Sequence, residues 1–348
     1  MRHQGIVCAL LAALLFGAST PVAKGLLADV SPQVLAGLLY LGSGLGLGVL
    51  WWFRRSARIA AEARLTSSDI PWLLGAVGLG GVLGPLLLLI GLSHTPASAA
   101  SLLLNLEGVL TALLAWIVFR ENVSQRIGLG MVVIVAGGAL LGYQGQLEWG
   151  GLAGTLAIAG ACLCWAIDNN LTQKVSGSDP IQIAALKGSV AGGINLTIGL
   201  LLAGSLPEKF QVAGALALGF VGYGVSLVLF VVALRSLGTA RTGAYFSTAP
   251  FVGAVLSLLI WREPVTASLI AAGSLMALGV WLHLTEWHAH EHVHQPLSHS
   301  HRHTHDAHHQ HPHRPGDPPG EPHTHVHVHP RLVHSHPHYP DIHHRHVH

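Results

Sequence analysis

The chain is predicted to be an all-α integral membrane protein: ten transmembrane helices arranged as two inverted five-helix repeats, plus a disordered His-rich tail. Three observations lead there. Up to about residue 285 one apolar block follows another, and only 10% of all residues are charged, too few to clothe a soluble protein with so large a core. Two 30-residue stretches, SHTPASAASLLLNLEGVLTALLAWIVFREN and RSLGTARTGAYFSTAPFVGAVLSLLIWREP, align without a gap. The last 61 residues contain 23 histidines.

About 18 or more apolar residues in a row suffice to cross a bilayer core. The first candidate span, 5–24, follows Arg2 and ends at Lys24. Gly17, Ala18 and Ser19 give it some likeness to a signal peptide, but its length favours a retained helix. The second, 33–53, is rich in glycine and stops at the cluster Arg54, Arg55, Arg58 and Arg64. Spans 70–92, 96–118 and 125–142 complete the first half, the fourth ending at Arg120 and Glu121. The second half offers 152–173, 181–203, 212–235, 241–261 and 266–285. Three regions result: residues 1–142, 143–285 and the tail 286–348.

Basic residues set the orientation. One side holds Arg2, the Arg54–Arg64 cluster, Arg120, Arg126, Lys174, Arg235 and Arg241, and the other only Lys24, Lys209 and Arg262. The excess of Lys and Arg on the first side places both termini in the cytoplasm of a plasma membrane, the inner membrane in a bacterium.

In the gapless match Ala97 meets Thr239, Gly108 meets Pro250, Arg120 meets Arg262 and Glu121 meets Glu263. The starts of the halves also correspond, LLFGAST before Ser31-Pro32 and LCWAIDN before Asp179-Pro180. Five spans per half is an odd number, so the second half enters the membrane inverted, an architecture of secondary transporters. The FGAS start, the LNLEGVLTALLAW helix followed by Arg-Glu, and the second ending in WREP resemble the EamA branch of the drug/metabolite transporter superfamily over about residues 5–285. That resemblance implies a transporter of small metabolites such as amino acids, sugars or nucleotide conjugates. The family often has proline after the fourth-span glutamate; here Gly108 follows Glu107, and the proline stands only at Pro250.

Charged and strongly polar groups inside spans are costly and face a cavity or a partner. Glu107 and Asn105 in the fourth span are candidates for substrate or coupling-ion contact, although a separation of two residues sets them about 200° apart on a helix. Glu107 either binds a cation or a proton, or bonds structurally to a neighbouring helix. Asp168 and Asn169, with Asn170, interrupt the sixth span and Lys187 the seventh. Pairing of Lys187 with Asp168 or Glu107 would neutralise two buried charges; otherwise Asp168 is a solvated helix end. Tyr245 joins the candidates, and Tyr223, Ser247 and Arg241 add polarity nearby, Arg241 as a boundary anchor. His94 alone between the third and fourth spans reads as structural. Cys8, Cys162 and Cys164 all lie in spans and imply no disulfide framework. Gly42, Gly44, Gly46, Gly48, Gly188, Gly192 and Gly193 read as sites of close helix packing.

The tail is built twice, 288–313 and 323–348, around the spacer RPGDPPGEP. Its candidate metal ligands are His288, His290, His292, His294, His299, His301, His303, His305, His308, His309, His311 and His313 in the first copy. The second copy supplies His323, His325, His327, His329, His334, His336, His338, His343, His344, His346 and His348. Neutral imidazole suits Ni, Zn, Co and Cu ions. Repeated prolines exclude a long helix and few apolar residues are available for a core, so the tail is expected to be disordered without metal. Near pH 7 most imidazoles are free to ligate, whereas about pH 5 they protonate.

No phosphate-binding glycine loop, activated nucleophile or carboxylate pair on a soluble face is present, so neither an enzyme nor a nucleic-acid binder is expected. The expected partners are the lipid bilayer, transition-metal ions and a small-molecule substrate. Two functions stay open: export of divalent transition metal collected by the tail, and transport of a small, amino-acid-like metabolite with the tail only buffering or sensing metal. A membrane-anchored metal store on a ten-helix platform is a third.

Overall fold

In the computed structural model the described residues are 2–56, 65–118, 125–142, 149–203, 206–285, 289–294, 297–303, 323–329 and 332–337. Ten helices among them are long and apolar enough to cross a membrane: α1 His3–Leu26, α2 Pro32–Arg54, α3 Ser67–His94, α4 Ala97–Leu114 and α5 Gln125–Gly142 in the first half. The second half holds α6 Leu152–Val175, α7 Pro180–Leu202, α8 Lys209–Leu237, α9 Arg241–Trp261 and α10 Ala267–Leu284. Each lies within a few residues of its expected span. Apolar side chains cover the outside, Leu201 81% and Phe210 88% exposed, a surface that water would not tolerate and lipid solvates. Trp52, Trp72, Trp116, Trp261 and Trp281 are also exposed and sit near span ends, where amphipathic rings favour the bilayer interface.

The helices are interrupted in ways periodicity does not reveal. Val77–Leu83 in α3 and Gly219–Val225 in α8 are π-helical, and they are displaced by the same 142 residues that carry Glu121 onto Glu263. Helix α4 breaks at Leu104, between Ala97–Leu103 and Asn105–Ile117. In the second half helical structure continues from Ser226 to Phe246, across the expected join of the eighth and ninth spans, and breaks before Ala249–Trp261. Leu104 and Phe246 are related by the same shift, so the inverted repeat extends to the irregularities. Irregular backbone in a membrane persists where it lines a cavity or is buried in protein.

The α2–α7 seam depends on glycine. A Cβ on Gly188 would lie 2.5 Å from the Gly44 nitrogen, and one on Gly192 2.4 Å from the Leu41 nitrogen, so these backbones approach too closely for any side chain. Gly42 meets Leu216 and Gly46 the ring of Phe220. Gly48 and Gly193, by contrast, have open space where a Cβ would stand and are not packing residues. Cys8, Cys162 and Cys164 are free thiols.

The described parts of the tail are extended backbone, with no helix among them. Strand β1 (Ala289–His294) pairs antiparallel with β4 (Leu332–Pro337), and β2 (Leu297–His303) with β3 (His323–His329). These ladders are local order beyond what the composition led us to expect. The candidate ligands His288, His305, His308, His309, His311, His313, His338, His343, His344, His346 and His348 lie outside the described residues.

Candidate substrate cavity between the two repeats

Residues of both halves converge on a cavity with an empty volume of about 590 Å³, its open mouth included. Helix α4 supplies Glu107, α6 supplies Trp165, Asp168 and Asn169, and α7 supplies Lys187. Rings complete the wall: Phe16 from α1, Tyr40 from α2, Tyr223 and Phe230 from α8, and Phe246 at the α9 break. They pack on one another, Phe16 edge-on to Trp165 with centroids 5.6 Å apart, Tyr40 5.5 Å from Tyr223, and Phe230 4.9 Å from Phe246.

Two carboxylates sit in this wall in different electrostatic conditions. Lys187, 1% exposed, donates to both oxygens of Asp168 at 2.6 and 2.8 Å and to Thr172 Oγ1 at 3.1 Å. Thr172 in turn donates to Asp168 Oδ1 at 2.8 Å. Asp168 and Lys187 therefore cancel each other. Glu107 accepts from Asn169 Nδ2 at 2.8 Å through Oε1 and has no cationic side chain bonded to it among the described residues. It is the uncompensated carboxylate of an otherwise neutral aromatic chamber.

The π-helical turns build the wall around the ion pair. In α3 the Gly80 carbonyl accepts from Tyr40 Oη at 2.9 Å and from Trp165 Nε1 at 2.9 Å, and the Gly81 carbonyl from Asn195 Nδ2 at 3.1 Å. Gly80 leaves no room for a Cβ, which would fall 1.9 Å from Asp168 Oδ2. Its counterpart Gly222 likewise leaves no room, a Cβ there lying 2.6 Å from Ser19 Cβ against 2.5 Å between one on Gly80 and Asp168 Cβ. Asp168 and Ser19 hold matching places in LCWAIDN and LLFGAST, so one inverted contact recurs with a charge in only one copy.

Of the residues expected at the site, Glu107, Asp168, Asn169 and Lys187 come together, and Tyr223 joins them. Asn105 does not. Turned away from Glu107 by their spacing, it is buried with Nδ2 donating to Leu102 O at 3.0 Å and meeting Met276 Sδ at 3.8 Å. Tyr245 also stays outside, packed against the buried cluster of Cys8, Ala9, Ala233 and Leu237. Asp168 is not a solvated helix end, being 7% exposed. The aromatic wall was missed from the sequence. A signal was available, since Phe16 and Trp165 occupy equivalent positions in the two matching starts.

A smaller cavity shares Phe16, Glu107, Asn169 and Phe246 with the first and continues to Thr111, Gly243 and Ser247. At the opposite end of α4 the repeats are fastened together. The Glu263 carboxylate accepts from the Ala97 and Ser98 backbone N–H groups at 2.8 and 3.0 Å and from the Ser98 hydroxyl, capping the helix of the other repeat. Arg262, in the left-handed region at φ 51°, turns the chain so that Glu263 reaches it. Lys24 donates to the Leu92 and Thr95 carbonyls at the end of α3, and Trp261 Nε1 to Pro21 O at 3.0 Å. Along both α4 and α9 the smaller cavity leads away from this clamp. Glu121, the counterpart of Glu263, lies outside the described residues.

Among the described residues of the membrane part no group of three or more His, Cys, Asp or Glu side chains is placed to hold a metal ion. The EamA-like transporter family model matches residues 3–143 and 152–285. An "Uncharacterized transporter" of Methanothermobacter thermautotrophicus is 30% identical over 297 residues, covering 81% of this chain and 86% of that protein. The "Uncharacterized transporter YyaM" of Bacillus subtilis is 25% identical over 298 residues, 80% of this chain and 93% of that one. A solved structure described only as a crystal structure of protein superposes with a TM-score of 0.62 at 18% identity, over 81% of this chain and 96% of its own, a likeness of fold.

Proposed function

Because the chain belongs to the EamA-like transporter family, we propose that this multi-pass membrane protein carries a small organic solute bearing a cationic nitrogen, with Glu107 as the group that receives it. The observation behind this is the single uncompensated carboxylate inside a wall of aromatic rings. A carboxylate in that setting is neutralised by a cation or a proton, and ring faces attract cations and cover an apolar solute body. The clamp at Glu263 and the smaller cavity leading the other way support alternating access with one side closed. Divalent metal as cargo has less support: Lys187 occupies Asp168, and Glu107 with Asn169 makes too few donors for an ion site. The expected result in proteoliposomes is that counterflow of labelled amines and amino acids depends on the protein while zinc and nickel do not move. Protein-dependent metal flux without amine flux would reject the proposal.

Both termini are assigned to the cytoplasm, on the Lys and Arg asymmetry of the loops. In intact cells a cysteine at Ser300 should stay unmodified by an impermeant thiol reagent while one at Glu208 reacts; the reverse pattern refutes the orientation. The tail then holds transition-metal ions on the cytoplasmic side, where it buffers or senses them.

A further inference from the structure

We infer that the two histidine copies of the tail bind transition-metal ions jointly, each ion ligated from both copies across an antiparallel fold-back. This rests on the tail's assignment as a metal binder and adds which histidines share an ion. The observation is register. In the β1–β4 ladder His290 stands opposite His336 and His292 opposite His334. In the β2–β3 ladder His299 stands opposite His327, His301 opposite His325 and His303 opposite His323. Every one of these pairs is symmetric about residue 313, so two separate ladders obey one mirror and belong to one fold-back.

The sequence independently carries the same symmetry. In the first copy His290, His292 and His294 fall on even positions and His299, His301 and His303 on odd ones; in the second His323, His325, His327 and His329 are odd and His334 and His336 even. The two changes of phase oppose each other when the chain folds back at 313. A direct repeat alone does not require this. With other phasing, histidines of one copy would oppose Ser, Glu and Val of the other.

Alternate residues of a strand share a face, and directly opposed residues of an antiparallel pair have Cβ atoms about 4.5–5.5 Å apart. His290, His292, His334 and His336 thus form a quartet on one face of the first ladder. His299, His301, His303, His323, His325 and His327 form a sextet on one face of the second. Zinc takes four ligands with Zn–N of about 2.0–2.1 Å, and imidazole equally suits Cu, Ni and Co. A quartet of two opposed pairs brings four histidine positions from both copies into adjacent register, whereas a single strand offers them only in a row spaced roughly 6.6 Å apart. A two-stranded ladder is marginal in water by itself, so the ions and the fold-back stabilise each other.

The test uses the full-length protein in nanodiscs, with zinc as the probe. Zinc is titrated against a competing chelator for the intact chain and for a chain ending after His313. Spin labels are placed at Ser298→Cys and Val328→Cys, an opposed pair in the register, after alanine replaces Cys8, Cys162 and Cys164. We expect zinc to collapse the label distance to one narrow, short population, and truncation to weaken binding roughly a hundredfold, because the second ligand set is then no longer tethered. If zinc binds but the distances stay broad and the truncated chain keeps half the ions at unchanged affinity, each copy binds alone and the shared sites are refuted, while the tail remains a metal binder. If the intact chain binds no zinc, the metal assignment of the tail fails and the shared sites with it.

Discussion

Glu107→Gln is expected to lower transport of the cationic solute by one to two orders of magnitude while the protein still folds and inserts. The loss corresponds to one charge-assisted hydrogen bond, about 1.5–3 kcal/mol. Glutamine keeps an oxygen for Asn169 Nδ2, which now donates to Glu107 Oε1 at 2.8 Å, so the α4–α6 contact survives and the defect is confined to charge. Counterflow in proteoliposomes measures the loss, and a symmetric size-exclusion peak confirms folding. Deleting the tail serves as the contrast, since a segment outside the membrane changes apparent affinity or metal response without removing the path. Normal transport by Glu107→Gln would make Glu107 structural and move the site toward Asp168, Asn169 and Lys187. Abolition of transport by tail deletion would make the tail an obligatory part of the mechanism.

The second large effect concerns the ion pair. Lys187→Met leaves Asp168 charged and buried, retaining only the Thr172 hydroxyl, and is expected to destabilise the protein by about 3–5 kcal/mol. Asp168→Leu strands the Lys187 ammonium at similar cost. The double variant Asp168→Leu/Lys187→Met is expected to recover most of the stability, because no unpaired charge remains and apolar replacements of a buried pair are often neutral. Thermal unfolding of the detergent-solubilised variants reads this directly. If the two losses simply add, the residues are not coupled and the Lys187–Asp168 bonds of 2.6 and 2.8 Å are not what holds α6 to α7.

Much of the membrane fold was legible because a bilayer asks one coarse question of a sequence. Span length follows from bilayer thickness and burial of backbone polar groups from the absence of water, so apolar runs alone place the ten helices within a few residues. The inverted repeat was legible in the match from Ala97 to Glu121 against Thr239 to Glu263. Interruptions were not. The segments VGLGGVL and GFVGYGV read as ordinary apolar helix, and whether such a run becomes π-helical depends on which neighbours donate to the freed carbonyls, here Tyr40 and Trp165 to Gly80 and Asn195 to Gly81.

The candidate site divides in the same way. The rarity of charge inside a span sufficed to single out Glu107, Asp168, Asn169 and Lys187, since any such residue must have a partner or a cavity. The sequence also left Lys187 with two possible partners, and only the crossing of α7 over α6 chose Asp168 and so left Glu107 as the open carboxylate. Phe16, Tyr40, Phe230 and Phe246 look like any lipid-facing or core aromatic until helix rotation turns them onto one volume, and the same rotation takes Asn105 and Tyr245 away. By itself the sequence determined the spans, the inverted halves, the family resemblance and the list of costly polar groups, because each follows from local composition and period. The tertiary structure decided which charges cancel, which rings face inward and which glutamate caps the opposite repeat, because those depend on distances between segments that are far apart in the chain.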